Sequence, residues 1–244
     1  MKLWSDSWTN GDRLPARYAA GRPDGAGRAA FGDNLNPHLA WSELPAGTQS
    51  MVLICHDFDA PTDAGLVNRD GVEVPVDLER ADFFHWVLID LPPRPMVIAE
   101  GEFSRGFVPR GKPGPEAASG ARHGRNDYTR WFAGDAELAG DYFGYDGPFP
   151  PWNDSLVHHY VFTLYAVALP RLPLEGVFDG PAVRRALAGR VLAEATYSGT
   201  YTLNSIIKKV ATVLFIAAGF MMTGQAVLTP LQMIVLLVVG DLLS

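Results

Sequence analysis

The apolar positions of this chain gather into short, dense runs rather than a helical stripe. MVLIC at 51–55, FHWVLID at 84–90 and HYVFTLYAVAL at 159–169 are rich in β-branched and aromatic residues and are bounded by Pro, Asp or Gly, so they predict central strands. TYSGTYTL at 196–203 alternates Tyr and Thr with small residues and predicts a fourth strand. Before it, Val183, Leu187 and Val191 recur every fourth position behind Asp179, Gly180 and Pro181, which predicts a helix over 182–195. The stretch 101–154, dense in Gly, Pro, Arg and Asp with scattered aromatics, is too long for an idle connection and predicts a self-packed functional loop.

The last forty residues obey another rule. Two apolar segments of 18 residues, 206–223 and 226–243, flank a break at Gly224 and Pro230, and only Lys208, Lys209 and Asp241 are charged in 205–244. A segment apolar on every face calls for lipid or complete enclosure, so the expectation is a transmembrane helical hairpin after a body of residues 1–204. At the other end, MKLWSDSWTNGDRLP contains no apolar h-region, and no export signal is expected there. Lys208 and Lys209 place the body on the cytoplasmic side by the positive-inside rule, with inner-membrane association through 206–243.

Composition narrows the function classes. Against 27 acidic residues there are 20 basic ones, a net charge of −7, which argues against a broad nucleic-acid surface while leaving local anion sites open. The 25 glycines and 19 prolines suit strands joined by turns. Cys55 is the only cysteine and lies inside an apolar run, so a disulfide framework is excluded and an inert buried thiol is expected. GxSxG, GxxxxGK[ST], HExxH and CxxC are all absent, which leaves cofactor chemistry without a foothold.

Three polar clusters remain. His56-Asp57-Phe58-Asp59-Ala60-Pro61 comes directly after the first strand; simple alternation puts Asp57 and Asp59 on one side, where they could split pKa values for acid–base work, hold a cation or cap a turn. His85 opens the second strand among aromatics, a setting that suits a satisfied half-buried histidine as well as a ligand or catalyst. Gly147-Pro148-Phe149-Pro150-Pro151 precedes His158-His159-Tyr160, where alternation sends His158 and Tyr160 to one face and His159 to the other. Were these starts to meet at one end of a sandwich, two imidazoles, a phenol and two carboxylates would converge on a small anion or zwitterion. A metal site from His56, Asp57, Asp59, His85 and His158 is chemically admissible but lacks helical ligand spacing.

These segments resemble the phosphatidylethanolamine-binding protein family, also called Raf kinase inhibitor-like, and its bacterial branch in particular. DFDAP (57–61) is similar to the family's DPDAP, FFHW (83–86) to its ligand-histidine strand, and GYDGPFPP (144–151) with HHYVFTLYA (158–166) to its GxxGPxPP and HxYxFxLYA segments. GRNDYTRWFAGD (124–135) resembles the branch's NDY loop, and VLAEATYSGTYTLN (191–204) the closing helix and strand. The resemblance implies a mainly β fold, a Greek-key sandwich with a few peripheral helices over 1–204. It also implies an anion pocket of Asp57, Pro61, His85, Gly147, Pro148, His158 and Tyr160, with Asp59 supporting the turn. Phe58 stands where the motif has Pro. The implied function is non-enzymatic binding of a small phosphorylated or anionic ligand, without cofactor or metal, as a regulatory module. The alternatives are a metal-assisted or acid–base hydrolase in the same pocket, or a kinase or protease inhibitor acting through 101–154. The partners expected are that ligand, a kinase or protease, and a membrane through the hairpin, but no nucleic acid. Protonated imidazoles would make affinity for an anion rise as pH falls through about 6.5. The tail resembles two membrane helices of cation-transporting P-type ATPases, with Asp241 where these carry a transport carboxylate, as a gene fusion or reading-frame joint would produce.

Overall fold

The computed structural model describes residues 1–207, so the expected hydrophobic hairpin of 205–244 lies, but for its first three residues, outside the described residues. Among the described residues no helix is long and apolar enough to cross a membrane.

The strands, in chain order, are β1 (Lys2–Trp4), β2 (Gly21–Pro23), β3 (Ala29–Phe31), β4 (Leu39–Ser42), β5 (Ser50–Pro61), β6 (Arg80–Leu91), β7 (Met96–Ile98), β8 (Gly111–Lys112), β9 (Arg122–His123), β10 (Asp141–Tyr142), β11 (His158–Val167) and β12 (Val191–Tyr201). Two α-helices, α1 (Tyr128–Trp131) and α2 (Gly180–Leu187), complete the described elements together with two 3₁₀ turns. A five-stranded sheet of order β12-β11-β5-β6-β9 faces a three-stranded sheet of order β1-β4-β7. All pairings within the large sheet are antiparallel, and β11 returns by a long connection to lie beside β5, which is Greek-key order.

The large sheet is buried on both faces, and this explains why its strands read as continuous apolar runs. Met51, Leu53 and Cys55 of β5 join Trp86, Leu88, Phe162 and Leu164 against Leu3, Leu39, Trp41 and Ile98 of the small sheet. On the opposite face Val52, Ile54, Val87 and Ile89 pack against Val183, Ala186 and Leu187 of α2. Cys55 is a buried free thiol that burial pushes well above its ordinary pKa.

The helix starts as its sequence predicts: Asp179 Oδ1 accepts from the Ala182 amide at 2.9 Å, with Pro181 in the first turn. It does not run to 195. Ala188 leaves helical geometry, Gly189 takes φ +71°, and Val191–Ala195 become the first half of β12, paired with Val167–Leu164 of β11. The period-four pattern therefore breaks at a left-handed residue, and the ladder of β11 claims the residues beyond it. The segment 56–61 is likewise no turn but the second half of β5, paired with Arg80–Phe84.

The stretch 101–154 is self-packed, as its aromatics predict. Phe107 lies 5.6 Å from Tyr142 and 5.8 Å from Phe132, while Tyr128 stacks on Phe132 at 5.6 Å, all by ring centroids. This aromatic body forms one side of a pocket at the ends of the central strands.

Candidate ligand pocket

Two irregularities in the β5–β6 ladder aim the side chains. Cys55 pairs with Trp86 but His56 pairs with Phe84, so His85 is an extra residue opposite no partner. Such a bulge turns His85 to the same side as Trp86 instead of letting the pleat send it away. His85 is thus a mid-strand residue, not the strand opening expected from the sequence. A second bulge falls between Asp57 and Ala60. It undoes the simple alternation: Asp57 meets His158 at 2.6 Å, whereas Asp59 accepts from the exposed neighbour His159, amide and Nδ1, both at 2.8 Å. The two carboxylates serve opposite sides of β11.

Between these strand ends, the loop after β5 and the aromatic body lies a cavity of about 460 Å³. Its buried polar lining is Asp57, His85, Tyr128, His158 and Tyr160; Phe83, Trp131, Phe132, Phe149 and Pro61 form apolar walls, and Arg130 stands among the exposed lining. Five of the residues expected from the sequence, Asp57, Pro61, His85, His158 and Tyr160, therefore share one cavity. Asp59, Gly147 and Pro148 are not in its lining. Gly147 is structural support: its amide donates to Asn34 Oδ1 at 2.8 Å and its carbonyl accepts from the Tyr128 hydroxyl at 2.7 Å. Pro148 accepts from the Gly21 amide at 2.9 Å. His56 faces the α2 side, beside Phe84 and 3.6 Å from Asp82, so the five-residue metal set does not converge. Among the described residues no group of three or more His, Cys, Asp or Glu could hold a metal ion.

The two histidines of the cavity are opposites electrically. Both ring nitrogens of His158 are engaged by carboxylates, Nδ1 with Asp57 at 2.6 Å and Nε2 with Asp154 at 3.0 Å. Burial opposes its charge, yet Asp57 and Asp154 outweigh burial and lift it to about 9, so His158 is an imidazolium at neutral pH. Arg80 closes the chain with a two-pronged grip on Asp154 at 2.6 and 3.1 Å. His85 lacks such support. Burial, only partly offset by Asp57 and the Asp146 carbonyl, lowers it to about 4. Its Nδ1–H donates to that carbonyl at 2.8 Å, which leaves Nε2 as a lone pair with no protein partner. Neither imidazole changes charge near pH 6.5, so the expected rise of affinity through that pH does not come from histidine protonation in the empty pocket.

The Tyr160 hydroxyl is buried with no hydrogen-bond partner. Burial, with Asp57 nearby, pushes this phenol well above its usual 10, keeping it a neutral donor.

Sequence reasoning missed Asp154 and Arg80, which hold His158, and Asp146, which holds His85 by ring and backbone; the Asp146 amide donates to the His85 carbonyl at 3.0 Å. It also missed Phe83, Tyr128, Trp131 and Phe149 as walls. Asp154 lies four residues before His158, a local spacing that could have drawn notice; Arg80 gives no comparable signal.

Comparison with known proteins agrees with this architecture. The family model described as phosphatidylethanolamine-binding protein matches residues 4–202. UPF0098 protein YbhB of Escherichia coli K12 is 30% identical over 202 residues, covering 83% of this chain and 100% of that protein. A UPF0098 protein of Aquifex aeolicus is 28% identical over 201 residues, 82% of this chain and 88% of the relative. The crystal structure of E. coli YbcL, described as a new member of the mammalian PEBP family, shares the fold with a TM-score of 0.58 at 24% identity, covering 82% of this chain and 97% of that one. A Greek-key sheet, a strand-end pocket and a match across nearly the whole described body lead to one assignment: the chain belongs to the phosphatidylethanolamine-binding protein family.

Proposed function

We propose that this protein binds a small phosphorylated or otherwise anionic ligand in the cavity between β5, β6 and β11, and does so without chemical turnover. The observation that carries this reading is the Tyr160 hydroxyl, a buried donor without a partner on a residue that lines the cavity. An orphaned buried hydroxyl costs about 1–3 kcal/mol, and a ligand oxygen accepting from it recovers that cost. The apolar walls of Phe83, Trp131 and Phe149 would cover the rest of the ligand, and exposed Arg130 adds a cation at the lining. Hydrolysis using His158 as a base is less well supported, because both of its ring nitrogens are already occupied.

The test is calorimetric titration of the purified full chain with phosphoethanolamine, beside Tyr160→Phe and with inorganic phosphate as competitor. Loss of one hydrogen bond to a charged oxygen predicts roughly ten- to hundredfold weaker binding in the variant. Absence of heat, or undiminished binding by Tyr160→Phe, would reject the reading; release of inorganic phosphate during the titration would favour a hydrolase.

A further inference from the structure

The charges at the pocket floor cancel. Asp57 and Asp154 carry two negative charges, and His158 and Arg80 carry two positive ones, linked in one chain of contacts from 2.6 to 3.1 Å. An arriving anion therefore finds no surplus cation there.

Away from exposed Arg130, buried donors are as scarce. Of the five buried polar side chains in the lining, Asp57 only accepts, His158 has spent both ring nitrogens, and the Tyr128 hydroxyl is committed to the Gly147 carbonyl. Tyr160 offers one O–H. His85 offers a lone pair, because the Asp146 carbonyl holds its only N–H at Nδ1. An anionic oxygen and a bare imidazole nitrogen repel each other unless a proton lies between them.

Resting on the anion-binding proposal, we infer that the pocket takes up one proton together with its ligand, and that the proton resides on Nε2 of His85. The neighbours of the ring divide between those that favour its charge and those that oppose it. From β5 come Asp57, whose charge favours an imidazolium, and His56, whose charge opposes it; from β11 come His158, whose charge also opposes it, and neutral Tyr160 at 5.1 Å between ring centroids. From α1 comes Tyr128 at 5.7 Å, and from β6 itself the uncharged Phe83 at 4.9 Å. The loop before β11 contributes the Asp146 carbonyl, and that residue's carboxylate is matched by Lys112 at 2.9 Å. With the pocket empty, burial and His158 keep the ring neutral; a phosphate oxygen supplies the missing counter-charge. Proton and anion then bind as a neutralising pair, which is how a net-neutral floor can retain an anion.

Proton uptake is measurable on the wild-type chain. Phosphoethanolamine is titrated at pH 7.5 in buffers of different ionisation heat, and the histidine rings are observed by ¹⁵N spectroscopy with and without ligand. A phosphate monoester has a second pKa near about 6, so above it the uptake should approach one proton and the affinity should fall about tenfold per pH unit. Near pH 5 the monoanion brings its own proton, and uptake should shrink toward zero. Nε2 of His85 should change from unprotonated to protonated on saturation, while both nitrogens of His158 stay protonated throughout. Binding with no proton uptake, or uptake recorded on another group while His85 is unchanged, would overturn this inference and leave the anion-binding proposal standing. No binding at any pH would remove both.

Discussion

Asp57 reaches diagonally across the β5–β11 ladder to His158: its direct partner in register is Tyr160, yet its carboxylate lies 2.6 Å from the His158 Nδ1. With Asp154 on the other ring nitrogen, the imidazole is clamped between two carboxylates in a buried site. The pocket thereby acquires a permanent, neutralised charge cluster as its floor.

Removing the cation from that cluster should be costly. His158→Ala leaves Asp57 and Asp154 buried with only Arg80 to answer them, and loss of one partner of a buried pair costs about 3–5 kcal/mol. Urea unfolding at pH 7 should show this as a lower midpoint. A loss under about 1 kcal/mol would mean that the clamp contributes little.

Stability should decline on both sides of neutrality. His158 is raised to about 9 in the fold, so its contribution is complete below 6.5 and disappears as pH rises through 9, on the order of 3 kcal/mol. His85 and His123 are lowered to about 4 by burial, so the unfolded chain takes up their protons first, and stability falls as pH drops from 6.5 toward 4. Thermal unfolding across pH 4 to 10 checks the shape. His123→Gln should flatten the acid limb and leave the alkaline limb unchanged, whereas His158→Gln should abolish the alkaline decline.

Tyr160→Phe should separate binding from folding. Because the hydroxyl is buried and unpartnered, its removal should leave the ligand-free protein as stable as wild type or more stable by about 1 kcal/mol, even as phosphoethanolamine affinity drops. Destabilisation would reveal a partner for the hydroxyl in the empty protein.

Gly147 supports the pocket through close approach. A Cβ there would lie 2.0 Å from the Tyr18 carbonyl oxygen and 2.6 Å from the Tyr145 hydroxyl. Gly147→Ala should therefore cost about 3 kcal/mol or more, since the nearest obstacle is backbone. A variant with wild-type melting behaviour would show that this segment can shift at little cost.

Asn153 pins the loop between β5 and β6 against the pocket. Its Nδ2 donates to the carbonyls of Leu66 at 2.9 Å and Val72 at 2.8 Å, and its Oδ1 accepts from the Asn68 amide at 2.8 Å. Losing these bonds in Asn153→Ala should cost about 2–3 kcal/mol of local order. Limited proteolysis should then cut within 63–73 while β5 and β6 stay intact; unchanged protection would place the loop's anchorage elsewhere.

The residues by themselves determined the strand cores and much of the site. A sheet buried on both faces demands continuous apolar runs, and that demand is local enough to read at 51–55 and 84–90. The histidines and Asp57 stand out because polar groups at the ends of such runs need a reason to be there. Tertiary structure alone decided their roles. The extra residue that aims His85 inward exists only in register with β5, so no alternation along one strand reveals it. The bulge after Asp57 separates it from Asp59 for the same reason, and the helix predicted to 195 yields to pairing with β11. The charge states were decided there too: whether an imidazole is held at about 9 or about 4 depends on which distant carboxylates burial brings to its nitrogens, and that is a property of the assembled sheet.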